Sequence, residues 1–579
     1  MAMQYARKRG ARLIILASVL VMGLGSVAQS EAQDQSGQGL FLRIDAGIHS
    51  TLISATAIDA QNNYVATASW DKTIRVWSLP DGRPLKILRG PIAPGHQGQF
   101  YAVAMSPDGS TIAGAGWTSS SGTEESIYLF DRVSGAILQR ISGLPNNVYR
   151  LAYSKDGGLL VVGLGRQNGI RVYDAAAGYR LIASDTTYGG DVRGADFDAA
   201  GRLVTTSFDG FVRLYAPGHF DSLSKKSPPL NERLFRIAFS PDGKQIAVGY
   251  AFKPLVRILS AGDLRPLYTP DLTGPAANYA YLASVTWSAS GNQLLAGGFG
   301  AGHGVIHRWT DGGRGRGTDL EERSAARDLL PLRDGSVLFG SMGPEFGIVG
   351  KAGETRILQP PGQLDFSTID TNRLLQSKDA TTVEGLSLDP QHRVRFSLRE
   401  RRVELDSETD TGLAPAVTEV PGLAITGWKG SLSPALNGRA LEMDHDESAH
   451  SLAVAPDGKS LVMGSDWTVR KFSADGHRIW SDATESVVWS INIARSGEVV
   501  VPAEGDGTFR WRRLSDGVEL LAVFISRDGR RWVAWTPQSY YDASAGGDDL
   551  IGWHVNNGPD HAPDFFAVGQ FASASTART

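Results

Sequence analysis

Cysteine is absent from all 579 residues. That absence excludes disulfides, a cysteine nucleophile and thiolate metal sites. Charge of one sign is also scarce in any one place: the formal net charge is -4, and no block of five like charges occurs. A nucleic-acid footprint would need a basic stripe, and there is none. Long helical periodicity is missing throughout. Beyond the N-terminus, no stretch approaches the roughly 18 uninterrupted apolar residues that a membrane span needs. Catalytic signatures are equally thin. None of the 11 His falls in an HExxH or another tight metal spacing, and no G-x-S-x-G elbow is found.

What the chain does contain begins with an export pattern. Arg7, Lys8, Arg9 and Arg12 form a positive n-region, and Leu13 to Leu24 form an apolar h-region. That run has signal-peptide length and is short for a membrane span. Ser26-Val27-Ala28 and Ser30-Glu31-Ala32 both place small residues where cleavage needs them. Residues 1–32 are therefore expected to be a signal peptide and 33–40 a polar spacer. The mature chain would be periplasmic or secreted, with no membrane attachment after cleavage. No Cys follows the h-region, so a lipidated N-terminus is ruled out.

From Phe41 onward the sequence repeats one unit. Its clearest copy is NNYVATASWDKTIRVWSLPDGRPLKIL, beginning at Asn62. Val65 to Ser69 alternate like a half-buried strand. Asp71 sits at a tight turn, where its carboxylate can accept backbone N–H bonds. Ile74, Val76 and Trp77 belong to a second strand, and Leu85 to Leu88 to a third. Counted from Trp77, the equivalent positions are Phe130, Tyr173, Tyr215, Ile258, Trp309, Ile348, Phe396, Ser433, Phe472, Trp511 and Trp553. The mean step is about 43 residues. A second marker keeps the same phase. Turns of the Ser-Pro-Asp-Gly kind start at Ser106, Ser154, Ser240, Ser288, Ala455 and Ala494. Pro pre-sets φ in such turns and Gly supplies φ > 0. A period of 40–45 with four strands per unit is the signature of a propeller blade.

The copies resemble WD-repeat units. His49, Thr67 or Ser69, Asp71 and Trp77 match the buried hydrogen-bonding set of that family, in which the His bonds the Asp. The resemblance makes His49, Ser69, Asp71 and Trp77 a structural network of the first blade. His96 keeps a Gly-His pair in the second unit, and His450 is placed equivalently in the tenth. Asp209 and Asp506 keep the turn carboxylate before Tyr215 and Trp511. The expected fold class is all-β: tandem β-propellers of four-stranded antiparallel blades, about 12 to 14 in two rings. Propellers usually have four to eight blades, and LQPPGQ, Leu358 to Gln363, follows the seventh unit. The first ring is accordingly set at 41–360 with about seven blades, a more degenerate second ring at 361–557, and a tail at 558–579. The strand FLRI, Phe41 to Ile44, is expected to pair with a blade from the far end.

ELLAVFISRDGRRWVAWTPQSYYDASAGGDDLIGWHVNNGPDHAPDFF, Glu519 to Phe566, resembles the junction in bacterial proteins that join WD repeats to a caspase-like, metacaspase-type peptidase. FLRID, SIYLFDRVSG, DVRGADFDAAGRLVTTSFDGFVRLY and GLAITGW are similar to the same group. After Phe571 this chain runs into ASASTART, where such proteins continue into a peptidase, and a caspase-type His/Cys pair is impossible without Cys. The resemblance implies a recognition half whose partner is a separate caspase-like peptidase.

Other stretches with chemical potential read as structure. HDES, His445 to Ser448, with Asp444, reads as a solvated acidic loop ahead of a hard-cation site. GGDDLIG, Gly546 to Gly552, lacks the carboxylate spacing of a calcium loop. GRGRG, Gly313 to Gly317, lacks the strand–turn–helix context of a phosphate loop. Trp532, Trp535, Tyr540 and Tyr541 read as the core of the terminal blade, and as a candidate terminal-motif surface if they face one ligand. The expectation is a non-catalytic scaffold, without cofactor or metal, that binds protein or peptide and not nucleic acid. A scaffold presents recognition residues on its loops, here including GWTSSSGTEES from Gly116. The alternative is a propeller enzyme, a quinoprotein-like oxidoreductase or a hydrolase, for which SADGHRIW, Ser473 to Trp480, resembles a quinoprotein repeat.

Overall fold

The structure is a computed structural model that describes residues 39–568, except 121–122, 228, 273–278, 301–302, 323, 367–373, 389–390, 409, 411 and 445–446. The expected signal segment, most of the expected spacer, His445 and the last eleven residues lie outside the described residues. Among the described residues the regular structure is strand, with short 3₁₀ turns. It consists of tandem propeller blades built from antiparallel sheets.

The chain divides into two units. The first comprises Thr51–Pro360 and Asn557–Pro563. It contains seven blades of four strands each, spanning 53–89, 99–144, 148–185, 192–226, 234–268, 279–322 and 326–359. The fifth and sixth are joined by one pairing, Tyr250 with Leu282. The first strands of the seven blades are Ile53–Ile58, Gln99–Met105, Val148–Tyr153, Val192–Phe197, Leu234–Phe239, Tyr279–Trp287 and Ala326–Pro331. Each packs against the first strands of its two neighbours, and Ala326–Pro331 returns to Ile53–Ile58, so the ring is closed.

Burial explains why blades do not exist singly. Each apolar cluster straddles two successive sheets, as when Ala55, Ile74 and Val76 of the first blade meet Phe100, Met105 and Phe130 of the second. Second and third strands are buried on both faces, whereas the fourth strand Arg180–Asp185 is largely exposed. A lone sheet would leave both faces wet, and stacking removes them from water at roughly 25 cal/mol per Å² of apolar area.

The repeat phase holds. Eleven of the twelve anchor residues lie in strands, and through the seventh blade each lies in the third strand. Ser433 falls between the short strands Ile425–Thr426 and Ala435–Leu436. All six Ser-Pro-Asp-Gly-like turns join a first strand to a second, and each has its Gly at positive φ.

Among the described residues, the second unit contains those up to Ser50, Pro361–Asn556 and those from Asp564. Its sheets are four strands within 375–405, three within 425–440, four within 449–483, six within 488–543, and a three-stranded sheet. In that last sheet Leu40–Ile44 pairs with Ile551–Val555, which also pairs with Asp564–Ala567. Two sequence boundaries are therefore corrected. The segment 41–50 belongs to the second unit, because Leu42 and Ile44 pack with Phe524, Trp535 and Trp553. The segment read as a tail carries an edge strand, whose Phe566 packs on the same cluster.

Candidate binding face

The first strands of all seven blades share an irregularity near their starts. Pairing with the second strand skips Ser54, Tyr101, Tyr149, Arg193, Ala283 and Arg327, and in the fifth blade both Phe235 and Arg236. A β-bulge leaves its extra residue unpaired and re-aims the side chain. Repeated around a ring, it presents one residue per blade at the same end. The turns that follow the second strands meet that end and contribute Trp70, Phe208 and Phe252.

These side chains form a continuous aromatic and arginine layer, in which Phe235 and Arg236 are buried. Tyr101 and Tyr149 stack with centroids 5.6 Å apart and planes inclined by 5°. Trp70 leans on Tyr101 at 5.6 Å. The Arg193 guanidinium lies 3.6 Å from the Tyr149 centroid and 4.7 Å from that of Phe208. Arg233 approaches Phe208 and Phe252, at 5.3 and 5.7 Å. Arg236 and Arg327 approach Phe235, at 5.0 and 5.3 Å. Such cation–π contacts are strongest where water is excluded.

Beneath this surface lies a buried ion pair. Arg236 Nε donates to Asp328 Oδ1 at 3.1 Å, and Thr56 N donates to Oδ2 at 3.0 Å. Arg150 Nη1 approaches Oδ2 at 3.5 Å. Arg236 also donates to the carbonyls of Arg193 and Ser54. Asp328 thus links four blades, the first, third, fifth and seventh. Burial pulls the Arg236 pKa down to about 9; Asp328 opposes this, while Arg150, Arg327 and Arg193 add to it. Burial likewise pushes the Tyr101 hydroxyl well above its usual range.

The first-blade residues singled out from the sequence are buried. Trp77 Nε1 donates to Thr67 Oγ1 at 2.9 Å. Ser69 Oγ donates to Thr51 O and accepts from Asp71 N. Asp71 Oδ1 accepts from Thr73 N and from its hydroxyl. His49 is 1% exposed. The fourth blade rewires this pattern: the Tyr188 hydroxyl meets Thr205 and Tyr215, Tyr215 donates to Asp185, and Asp209 pairs with Arg213. Asp506 accepts from Thr508 N and pairs with Arg510. The His96 ring lies 4.7 Å from that of Trp117.

His450 requires correction. It is the bulged residue of Ala449–Val454, inside the strand and not ahead of it. It bonds Asp466 at 2.7 Å and lies 5.0 Å from Trp489, the bulged residue of Val488–Ile493. The terminal aromatics do not form one surface either. Trp532 packs with Phe396 on one face of its strand, and Trp535 with Phe524's cluster on the other, because alternate side chains of a strand point oppositely. Tyr541 packs beside Trp535, while Tyr540 is exposed.

The other motifs are occupied by internal bonds. In GRGRG, the N–H groups of Gly313, Arg314 and Gly315 bond back to Thr310 and Asp311. Glu447 pairs with Arg470, which also holds Asp444. In GGDDLIG, Asp548–Leu550 is a 3₁₀ turn. The loop after Gly116 folds onto Glu125, which accepts from Thr118 and Ser119. Among the described residues, no group of three or more His, Asp and Glu is placed to hold a metal ion, and no helix is long and apolar enough to cross a membrane.

The bulge residues, Arg150 and Asp328 were missed in the sequence. A signal existed. Tyr101, Tyr149, Phe235, Ala283, His450 and Trp489 each stand five residues before one of the six turns.

Residues 47–78 match the family described as WD domain, G-beta repeat. The chain is 25% identical over 253 residues to NACHT domain- and WD repeat-containing protein 1 of Mus musculus, covering 43% of this chain and 15% of that protein. It is 23% identical over 271 residues to Protein HIR1 of Kluyveromyces lactis, covering 40% and 28%. With Small ribosomal subunit protein RACK1y of Oryza sativa subsp. japonica it shares 32% over 99 residues, covering 16% and 27%. The chain thus spans well under a third of each of these relatives. Together with the blades, these matches support a WD-repeat propeller.

Proposed function

We propose that the chain is an exported, non-catalytic scaffold that captures a protein or peptide partner on the bulge-bearing face of its first ring. The observation that carries this is the sevenfold repetition of one bulge, which gathers Tyr101, Tyr149, Arg193, Phe235 and Arg327 at one end. Trp, Tyr and Arg are the residue types that dominate binding energy at protein interfaces. Export is supported by the positive n-region and short apolar run at the N-terminus. The resemblance of Glu519 to Phe566 to the WD-repeat/peptidase junction supports a separately encoded caspase-like peptidase as the partner.

The test is a comparative pull-down with identification by mass spectrometry. The full chain and the double variant Trp70→Ala/Phe252→Ala serve as baits in the periplasmic fraction of the source cells. Phe252 is 56% exposed and Trp70 half-buried, so their truncation spares the core. The expected result is a partner recovered about tenfold less by the variant, as for loss of one or two interface anchors. Equal recovery by a variant with an unchanged melting curve would remove this face from the proposal.

A further inference from the structure

We propose a second site on the first ring, at the end away from the bulges, that takes a short apolar peptide with both termini free. It does not depend on the docking role above. Where the seventh blade closes on the first there is a cavity of about 520 Å³, the size of a small-ligand site. Its walls come mainly from the turns joining first to second strands and third to fourth strands of those two blades. The cavity is open because this seam lacks the filling found between the first and second blades. There, Arg132 lies 3.7 Å over the Tyr64 ring and donates to Gly109 O at 2.7 Å. Arg132 is the first residue after a third strand, and Tyr64 opens a second strand. The corresponding residues at the closing seam are Leu79 and Val337, which are too short to bridge it.

The charged side chains lining the cavity are Arg333, Asp334, Glu354 and Arg356. Arg333 Nη1 donates to Gln61 Oε1 at 2.8 Å, and Arg356 Nη2 donates to Pro80 O at 2.7 Å. Both guanidiniums thus bond neutral oxygens, and neither meets a carboxylate among the described residues. The two anions differ. Asp334 accepts from the hydroxyl and N–H of Ser336, which hold its pKa below the usual carboxylate range, with Lys351 adding to the effect. Among the described residues no donor meets the Glu354 carboxylate, which lies over Gly350 where a Cβ would strike it. Leu332 and Ile348 are buried and give the cavity an apolar floor. A free peptide answers each feature. Its carboxylate suits the donor forks of Arg333 and Arg356, its ammonium suits Glu354, and its apolar side chains suit the floor. A simple anion would face Glu354 unmatched, and a simple cation would face two guanidiniums. An internal stretch of a longer chain supplies neither terminus.

The experiment is isothermal titration calorimetry on the full chain with four probes: the tripeptide Leu-Ala-Leu, its N-acetyl form, its C-terminal amide, and leucine alone. Leu-Ala-Leu is expected to bind with a Kd of about 1 mM or tighter, and each blocked form about tenfold more weakly. Arg356→Gln should weaken Leu-Ala-Leu about tenfold and leave the amide unaffected, because the amide has no carboxylate to lose. Glu354→Gln should do the same and leave the N-acetyl form unaffected. Both residues are exposed, so these changes spare the core. Trp70→Ala/Phe252→Ala should leave the affinity unchanged, since those residues lie at the other end. The blocked series on the unaltered chain stands even if a variant folds poorly. Absence of heat with Leu-Ala-Leu would show a gap filled by water only and overturn the site. Equal binding of the blocked forms, tighter binding of leucine, or a loss caused by Trp70→Ala/Phe252→Ala would overturn it as well.

Discussion

At the scale of single residues, the first blade was the most legible. Asp71 and Trp77 act within a few residues of their partners, Thr73 and Thr67, so local spacing reveals them. Glu504 was not legible at all. It is fully buried, and neither carboxylate oxygen has a hydrogen-bond partner among the described residues. It lies 3.2 Å from Arg510, which Asp506 and Glu519 also claim. Burial outweighs that attraction and raises its pKa to about 8. The sign follows from linkage. The folded state holds this proton between the ordinary carboxylate range and pH 8, while the unfolded chain has lost it, so the contribution to stability falls as pH rises through that window. Glu504→Gln should therefore gain on the natural chain between pH 5 and pH 8.5 in urea denaturation. Parallel pH dependences for the two proteins would show that Glu504 ionises normally.

At the scale of elements, turns and strands were readable and pairings were not. Ser-Pro-Asp-Gly encodes its turn locally. Gly109 has φ +72°, and a Cβ there would come within 3.1 Å of Asp59. The bulges escaped notice because the extra residue interrupts an alternating pattern by only one position. The strand Leu40–Ile44 could be recognised as a strand, but its partner lies more than 500 residues away at Ile551–Val555. Leu42 tests that pairing. Leu42→Asp would set a charge against the cluster containing Phe524, Trp535 and Trp553 and expose the edge of the last sheet. A loss of about 2 kcal/mol or more is expected in urea denaturation, with more aggregation by light scattering. Unchanged values would mean that this strand contributes little.

At the scale of the whole molecule, ring closure joins residues the chain keeps far apart. Asp328 and Arg236 come from the seventh and fifth blades, and Thr56 and Arg150 from the first and third. Asp328→Ala leaves a buried guanidinium without its carboxylate and is expected to cost about 3–5 kcal/mol. Arg236→Met in the same chain should recover a large part of that loss, since the unpaired charge is gone. Additive losses in chemical denaturation would show that the two residues are not coupled. By itself, the sequence determined the blade unit, its period, its turns and the all-β class, because each depends on residues within one blade. The tertiary structure alone decided which strand closes each sheet and which seven bulges share an end. It also placed Arg150, Arg236 and Thr56 on one aspartate, because those contacts arise only when the first ring closes and blades over 200 residues apart meet.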